Sequence, residues 1–307
     1  MRVAEVTAFG GPEVLRIAER PDPVAGTGQV VVRIHAATIN PTDIGTRAGQ
    51  ARRRLPDLEP PFVPGWDLAG EVSEVGAGVT AYAPGDRVVG MIPFVRIGGR
   101  MGAYAEAAAV QPGWLAPLEP SVSFEVGATL PLNALTAREG LAMLALPAGA
   151  TLLVTGAGGA VGGYATQLGA AAGLRVIAVA GRDDEDWVAG LGAAEVLPRD
   201  ADLSAIEPVD GVFDAVPLGP AASTTALRDG GTAVFTRPPD PSESERDLRL
   251  ESFLVSPDAA GLRELAERLA AGELRTRVAR TLPLEEAAEG HRLAEAGGLR
   301  GKVVLTA

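Results

Sequence analysis

Over the first third of the chain, apolar and polar positions alternate with a period of two. Residues 2–9 alternate in this way, and Gln29 to Ile39 is a β-rich run. Leu68 to Val75 is another, closed by Gly76-Ala77-Gly78, and Pro84-Gly85-Asp86 turns the chain into Arg87-Val88-Val89-Gly90. Short, regularly spaced strands with few helices predict a compact β-barrel-like domain up to about residue 115. After Leu118 the period changes. Apolar residues from Phe124 to Leu146 repeat at helical spacing, with Pro131 dividing the run, and Pro147 to Ala150 is a turn. Thr151 to Thr155 is then continuously apolar, as expected of a strand buried on both faces of a parallel sheet. A glycine-rich turn, a helix to about Ala172 and a strand from Arg175 to Ala180 complete a βαβ unit. Further on, the pattern predicts a helix around Asp184–Leu191 and strands near Glu195–Leu197, Val212–Ala215 and Thr232–Phe235. It also predicts an edge strand within Leu248–Val255, an amphipathic helix over Ala259–Leu274 and a last strand at Lys302–Leu305. Arg237 to Glu245 reads as a loop, and no internal repeat is visible.

The turn Gly156-Ala157-Gly158-Gly159-Ala160-Val161 joins the buried strand to the helix. A diphosphate requires backbone N–H groups and a close approach that large side chains forbid, and the helix N-terminus adds partial positive charge. Residues 156–161 are therefore candidate cofactor ligands. An NAD-type site places an acid at the tip of the second strand, about 20 residues on, to hold the ribose hydroxyls. Here the tip is Ala180-Gly181-Arg182, with no carboxylate, so Gly181 and Arg182 point to the 2′-phosphate of NADP(H). Asp183 and Asp184 follow at once and weigh against it, and a solvated surface charge is the plainer role for Arg182.

Composition narrows the picture. With 307 residues, 47% of them hydrophobic and 4% aromatic, the core has to be built from Ala, Val and Leu. A net charge of −12 with no basic stripe argues against a nucleic-acid partner, the densest cluster being Arg52-Arg53-Arg54 in a proline-rich stretch. The chain has no cysteine, which excludes disulfides and thiolate metal sites. No apolar run reaches the length of a membrane span, and the first residues alternate like a strand instead of forming a signal peptide. A cytoplasmic location is the default expectation.

Several segments together resemble one family, the zinc-independent quinone oxidoreductases (zeta-crystallin-like) of the medium-chain dehydrogenases/reductases. They are Ile39-Asn40-Pro41-Thr42-Asp43, Pro64-Gly65-Trp66-Asp67-Leu68-Ala69-Gly70, Gly85-Asp86-Arg87-Val88 and Gly102-Ala103-Tyr104-Ala105-Glu106. Ala128 to Leu132, Leu135-Thr136-Ala137, Ala157 to Gly162 and Arg300-Gly301-Lys302-Val303-Val304-Leu305 also fit. The resemblance implies an α/β protein with a GroES-like β-barrel catalytic domain over 1–118, completed by about 275–307. A Rossmann NADP-binding domain would occupy 119–274, with the site in the cleft, and the protein would be a homodimer. Zinc-dependent relatives place ligands where this chain offers Asn40, Trp66 and Leu132, which make no zinc donor set, so no metal is expected. His35 and His291, the only two histidines, are expected to be structural.

Without a Lewis acid, reduction of an activated acceptor is easier than alcohol oxidation. The expected activity is NADPH-dependent hydride transfer to quinones or small α,β-unsaturated carbonyls. Asn40 is the candidate donor to the acceptor oxygen or the nicotinamide ribose, or else it fixes the Asn40-Pro41 turn. Asp43 would orient neighbouring groups or cap a helix. Tyr104 is a candidate proton donor or a packed barrel residue, and Trp66 would wall the substrate pocket. By motif position Thr136 would touch the nicotinamide. Lys302, the only lysine among 27 basic residues, would touch a cofactor phosphate or lie on the surface. One departure from the family is Pro217, which removes an N–H from the turn at 215–219.

Three other readings compete. An enoyl reductase acting on CoA- or carrier-linked thioesters would use Arg52–Arg54, Arg96 and Arg100 as a basic entrance. A non-enzymatic NADPH sensor or structural protein would keep the fold without turnover. A short-chain dehydrogenase is disfavoured, because Tyr164 is followed four residues later by Leu168 and not by a lysine.

Overall fold

The computed structural model describes residues 1–216, 218–240 and 246–307. Pro217 and the Pro241–Glu245 part of the expected loop lie outside the described residues. The chain divides into two compact units, Met1–Leu132 with Ser256–Ala307 and Asn133–Val255.

In the first unit β1 (Arg2–Val6) and β2 (Leu15–Glu19) form an antiparallel ribbon. There follow β3 (Val30–Thr38), α1 (Pro41–Arg47), β4 (Asp67–Val75), β5 (Arg87–Met91), β6 (Ala107–Val110), β7 (Leu115–Pro117) and α2 (Phe124–Ala128). Ser123 caps α2, its Oγ accepting from Val126 N at 3.3 Å. Pro131 then opens α3 (Pro131–Leu144), where a missing N–H costs nothing, so the long apolar run is two helices. The second unit continues with β8 (Thr151–Thr155), α4 (Ala160–Ala171), β9 (Arg175–Ala180), α5 (Glu185–Ala189), β10 (Glu195–Pro198), β11 (Val209–Asp214), α6 (Pro220–Ser223), β12 (Leu227–Phe235) and β13 (Arg249–Ser252). The chain returns to the first unit with α7 (Ala259–Ala270), β14 (Val278–Pro283), α8 (Ala287–Ala296) and β15 (Lys302–Thr306).

Among the described residues the first unit's main sheet runs β14-β15-β3-β4-β5-β7, with β6 also on β3. β3 is its centre. It pairs antiparallel with β4 over nearly its whole length and, at its C-terminal end, with β15, so the last strand of the chain completes the barrel-like sheet. Gly70 is required where these strands cross closely, because a Cβ there would sit 2.0 Å from Arg33 O.

The second unit's sheet runs β10-β9-β8-β11-β12-β13, all parallel. Counted from β8, that is the doubly wound order of a Rossmann fold, with its switch point between β8 and β11. β13 is the edge strand expected near 248–255. Leu153, Ile177, Val179, Val212, Ala233 and Phe235 form the core of one face, while Phe213 points the other way against Gly140.

The expected boundaries at 118/119 and 274/275 differ from the observed division at 132/133 and 255/256. α2 packs on β3 and β4, and α7 on β7, so both helices belong to the barrel-like unit. Helical periodicity marks an amphipathic face without saying which sheet will cover it. Leu153 is fully buried. Leu153→Ala should lower the unfolding free energy by about 2–5 kcal/mol, read from urea denaturation, and a loss below about 1 kcal/mol would show that the site collapses around the gap.

Candidate functional site

The polar heart of the first unit forms where three strand ends and two helix starts meet. Thr38 ends β3, Asn40 caps α1, Asp67 opens β4, Lys302 opens β15, and Leu132 lies in the first turn of α3. All but Leu132 are buried polar residues. Asp67 gathers three donors: Thr38 Oγ1 at 2.6 Å and Asn40 Nδ2 at 2.8 Å on Oδ2, and Leu132 N at 2.7 Å on Oδ1. Lys302 Nζ donates to Ile39 O and to Asn40 Oδ1, each at 2.6 Å. Asn40 N donates to Asp43 Oδ2 at 2.8 Å. This is the Asp43 half of a capping box at the start of α1, and the Asn40 side chain also reaches Lys302 and Asp67.

Two buried carboxylates thus share one buried ammonium. Burial raises both acids, the charge of Asp67 raises Asp43 further, and Lys302 works against the shift of each. Asp43 is pushed up to about 7. Burial lowers Lys302, and both carboxylates oppose that. Asp67 has the donors that suit an ionised group, and Asp43 is the place for a proton near neutral pH.

A second buried chain leads away from Asp43. Tyr104 Oη lies 3.1 Å from His291 Nε2, Arg47 Nη1 lies 3.2 Å from His291 Nδ1, and Arg47 also donates to Glu295 at 3.1 and 2.5 Å. Burial and the nearby Arg47 charge lower His291 to about 3, and burial raises Tyr104 well above its ordinary value.

Asn40, Asp43, Asp67 and Lys302 are therefore brought together, with Tyr104 at the far side of Asp43. Lys302 is buried, with Ile39 O and Asn40 Oδ1 as oxygen partners. Trp66 is 2% exposed, a packed position within this unit. Among the described residues no group of three or more His, Cys, Asp or Glu is arranged to hold a metal ion. At the positions of zinc ligands in relatives, Asn40 offers one side-chain oxygen, already taken by an ammonium, and Trp66 and Leu132 offer no ligand atom. Thr38, Asp67 and Arg47 carry no signal of their own in the sequence, and His291 was expected only to be structural. Asp67 lay inside a quoted segment, but a single acid at a strand start has no pattern of its own.

In the second unit the turn after β8 is built for close approach. Gly156 has φ +65°, and a Cβ on Gly162 would stand 2.4 Å from Gly156 O. Ala157 is buried and its N–H donates to Val179 O at 3.0 Å, tying the turn to β9. Gly159 caps α4 with no side chain, so the backbone N–H groups at Ala160 and Val161 begin the helix without a side-chain acceptor. This cradle, which a Cβ would fill, fits a dinucleotide diphosphate.

At the tip of β9 Arg182 is 78% exposed, with Asp200 3.8 Å away. Arg199, which the sequence reading passed over, lies against Gly181, its Nε 3.5 Å from where a Cβ would be. Asp184 is buried, and its Oδ2 lies 2.7 Å from a Cβ placed on Gly158. Thr155 Oγ1 donates to Asp214 Oδ1 at 2.5 Å across the switch point. Thr136 is a buried residue of α3.

Residues 26–120 match the alcohol dehydrogenase GroES-like domain, and residues 191–305 match the zinc-binding dehydrogenase family. A quinone oxidoreductase of Lama guanicoe is 30% identical over 329 residues, covering 99% of this chain and 97% of the relative. The chloroplastic quinone-oxidoreductase homolog of Spinacia oleracea is 37% identical, but the match covers 61% of this chain and only 57% of that relative. The solved quinone oxidoreductase of Coxiella burnetii superposes with a TM-score of 0.90 at 29% identity, covering 100% and 99% of the two chains. An NAD-dependent alcohol dehydrogenase superposes at 0.89 with 32% identity and full coverage of both. Fold and site together define a medium-chain dehydrogenase/reductase. Within that class the chain belongs to the quinone oxidoreductase family.

Asp43 and His291 should leave opposed marks on stability. Asp43 has an ordinary value of 3.8 and a folded value of about 7, so the stability it contributes is present at acid pH and lost as pH rises between the two. His291 falls from 6.5 to about 3, so over that window its contribution makes stability rise with pH. In Asp43→Asn the first effect is gone. The variant should gain on the wild type by about 2–4 kcal/mol between about pH 4 and about pH 7. Urea melts across that range check it, and a constant difference would refute it.

Proposed function

We propose that this protein is an NADPH-dependent, zinc-free oxidoreductase that reduces quinones or small α,β-unsaturated carbonyl compounds. The observation that carries the reading is the Gly156–Val161 turn, where backbone geometry leaves room for a diphosphate and nothing larger than glycine at Gly162. When bound, the nicotinamide supplies a hydride to the acceptor carbon. Gly156, Ala157, Gly158, Gly159, Ala160 and Val161 would hold the diphosphate, and Thr136 would meet the nicotinamide.

Arg182 would pair with the 2′-phosphate. Two arginines at the tip of β9, Arg182 and Arg199, favour a dianion there in a chain of net charge −12. Asp184 faces Gly158 and favours the rival reading, NADH, which is also the nucleotide of the NAD-dependent neighbour. A metal is ill suited to the first unit's cluster, since Lys302 already holds Asn40 Oδ1. In its absence the acceptor's own conjugated oxygen takes up the charge, and Asn40 and Asp43 would orient the groups around it. A quinone or enone substrate, a cytoplasmic location and a homodimer complete the proposal, in keeping with the quinone oxidoreductases it resembles.

A thioester substrate is the second reading. Gly99 packs on Leu58, which sets the loop of Arg96 and Arg100 beside that of Arg52–Arg54, and Arg53, Arg54 and Arg100 are exposed. An acceptor screen with NADPH and NADH in parallel, using free quinones, free enones and CoA-linked enones, separates the readings. Turnover of free acceptors with NADPH is expected. Nucleotide binding without turnover of any acceptor would favour a sensor, and no affinity for either nucleotide would end the proposal. Arg182→Ala should weaken NADPH binding about tenfold and leave NADH nearly unchanged, read by nucleotide fluorescence, and equal losses would reject that role.

A further inference from the structure

The buried chain from Tyr104 to Glu295 has a direction, and Arg47 dictates it. A guanidinium has only donors, so the His291 Nδ1 that lies 3.2 Å from Arg47 Nη1 must accept. The neutral ring then carries its proton on Nε2 and donates it to Tyr104 Oη at 3.1 Å. The Tyr104 hydroxyl hydrogen, refused by His291, is left for another acceptor. The carboxylate of Asp43 is the neighbour that could take it: its charge raises the Tyr104 pKa, and its Oδ1 is buried with no hydrogen-bond partner.

Packing holds the chain in place. Tyr104, His291, Arg47 and Asp43 are all buried, and the Tyr104 and His291 rings meet edge-on at 89°. Gly290 lets α8 approach, since a Cβ there would lie 2.5 Å from Ile39 Cδ1, one residue from Asn40. Arg47 is anchored by Gly10 O at 3.1 Å and by Glu295, which is 35% exposed.

We propose that Arg47 and His291 are positioning residues for the candidate site, fixing the hydrogen-bond direction that makes Tyr104 a donor to Asp43 and so setting the charge Asp43 carries beside Asn40. The charged and titratable groups around Asp43 are Asp67 from β4, Lys302 from β15, Tyr104 from the segment before β6, Arg47 one turn along α1, and His291 and Glu295 from α8. Asp67 and Lys302 bear on it directly, and Arg47 acts through His291 and Tyr104. Because Arg47 does not give up its proton, the chain orients groups and does not conduct protons to solvent.

The inference rests on the proposed activity only for its catalytic meaning, and its first two tests do not use that activity. In full-length His35→Asn protein His291 is the sole histidine, and its ring nitrogens are read by nitrogen-15 NMR. A neutral Nε2–H tautomer unchanged from about pH 5 to about pH 8 is expected. An Nδ1–H tautomer or an imidazolium in that range overturns the proposal.

The carboxyl carbon of Asp43, assigned with Asp43→Asn, is then titrated. Its midpoint should rise by about one unit in Tyr104→Phe, since the ionised form loses a donor. His291→Leu should move it the same way, because the hydroxyl is no longer held. His291→Gln should restore it, its amide oxygen accepting from Arg47 and its amide N–H donating to Tyr104. A folded Tyr104→Phe protein with an unmoved midpoint overturns the proposal, whether or not His291→Leu folds.

Third, the pH profile of kcat for acceptor reduction should shift with the midpoint while KM for the acceptor changes less than about twofold. An active enzyme with an unmoved profile overturns the catalytic part. The expected tautomer and midpoints in a protein that binds no nucleotide would overturn the proposed function and uphold the positioning chain.

Discussion

An ammonium with almost no access to water is the constraint around which the first unit is organised. Stripping Lys302 of solvent is costly unless charge and hydrogen bonds replace the water. The replacements come from separate stretches of chain: Ile39 O and Asn40 Oδ1 touch the ammonium, and the charges of Asp67 and Asp43 favour its ionised form. To supply them β15 must lie beside β3, α1 must start at Asn40, and α3 must offer the N–H of Leu132 to Asp67. The position of β15 beside β3 and the start of α1 at Asn40 both serve that one buried cation.

The second unit answers to a different constraint, the distance of closest approach. Gly156 takes a backbone conformation that side chains resist, and Gly162 stands where a Cβ would strike Gly156 O. Hydrogen bonds from Ala157 to Val179 O and from Thr155 to Asp214 brace the turn from both flanks. The glycines therefore serve shape, and the strands hold that shape still. A rigid cradle loses little conformational freedom when it binds, which is the thermodynamic advantage of building it between two parallel strands.

The two units illustrate different kinds of legibility. Thr151–Thr155 and Arg175–Ala180 coincide with β8 and β9 as observed, because a strand buried on both faces leaves an uninterrupted apolar run. Boundaries between units were displaced, since the faces of α2 and α7 show how much is buried but not against what. His291 looked like packing alone, since a histidine on a helix says nothing of an arginine 244 residues away.

What the sequence determined by itself was local: period, turn chemistry, glycines at close approaches, and a stock of residues without cysteine and with one lysine. Those follow from sterics and solvation acting on neighbours along the chain. Only the tertiary structure decided that Thr38, Asn40, Asp43, Asp67 and Lys302 form one cluster, and that Arg47 governs which way Tyr104 points. Hydrogen bonds and charge interactions depend on separations of a few ångströms in space. Partners drawn from opposite ends of the chain leave no spacing in the sequence by which to recognise them.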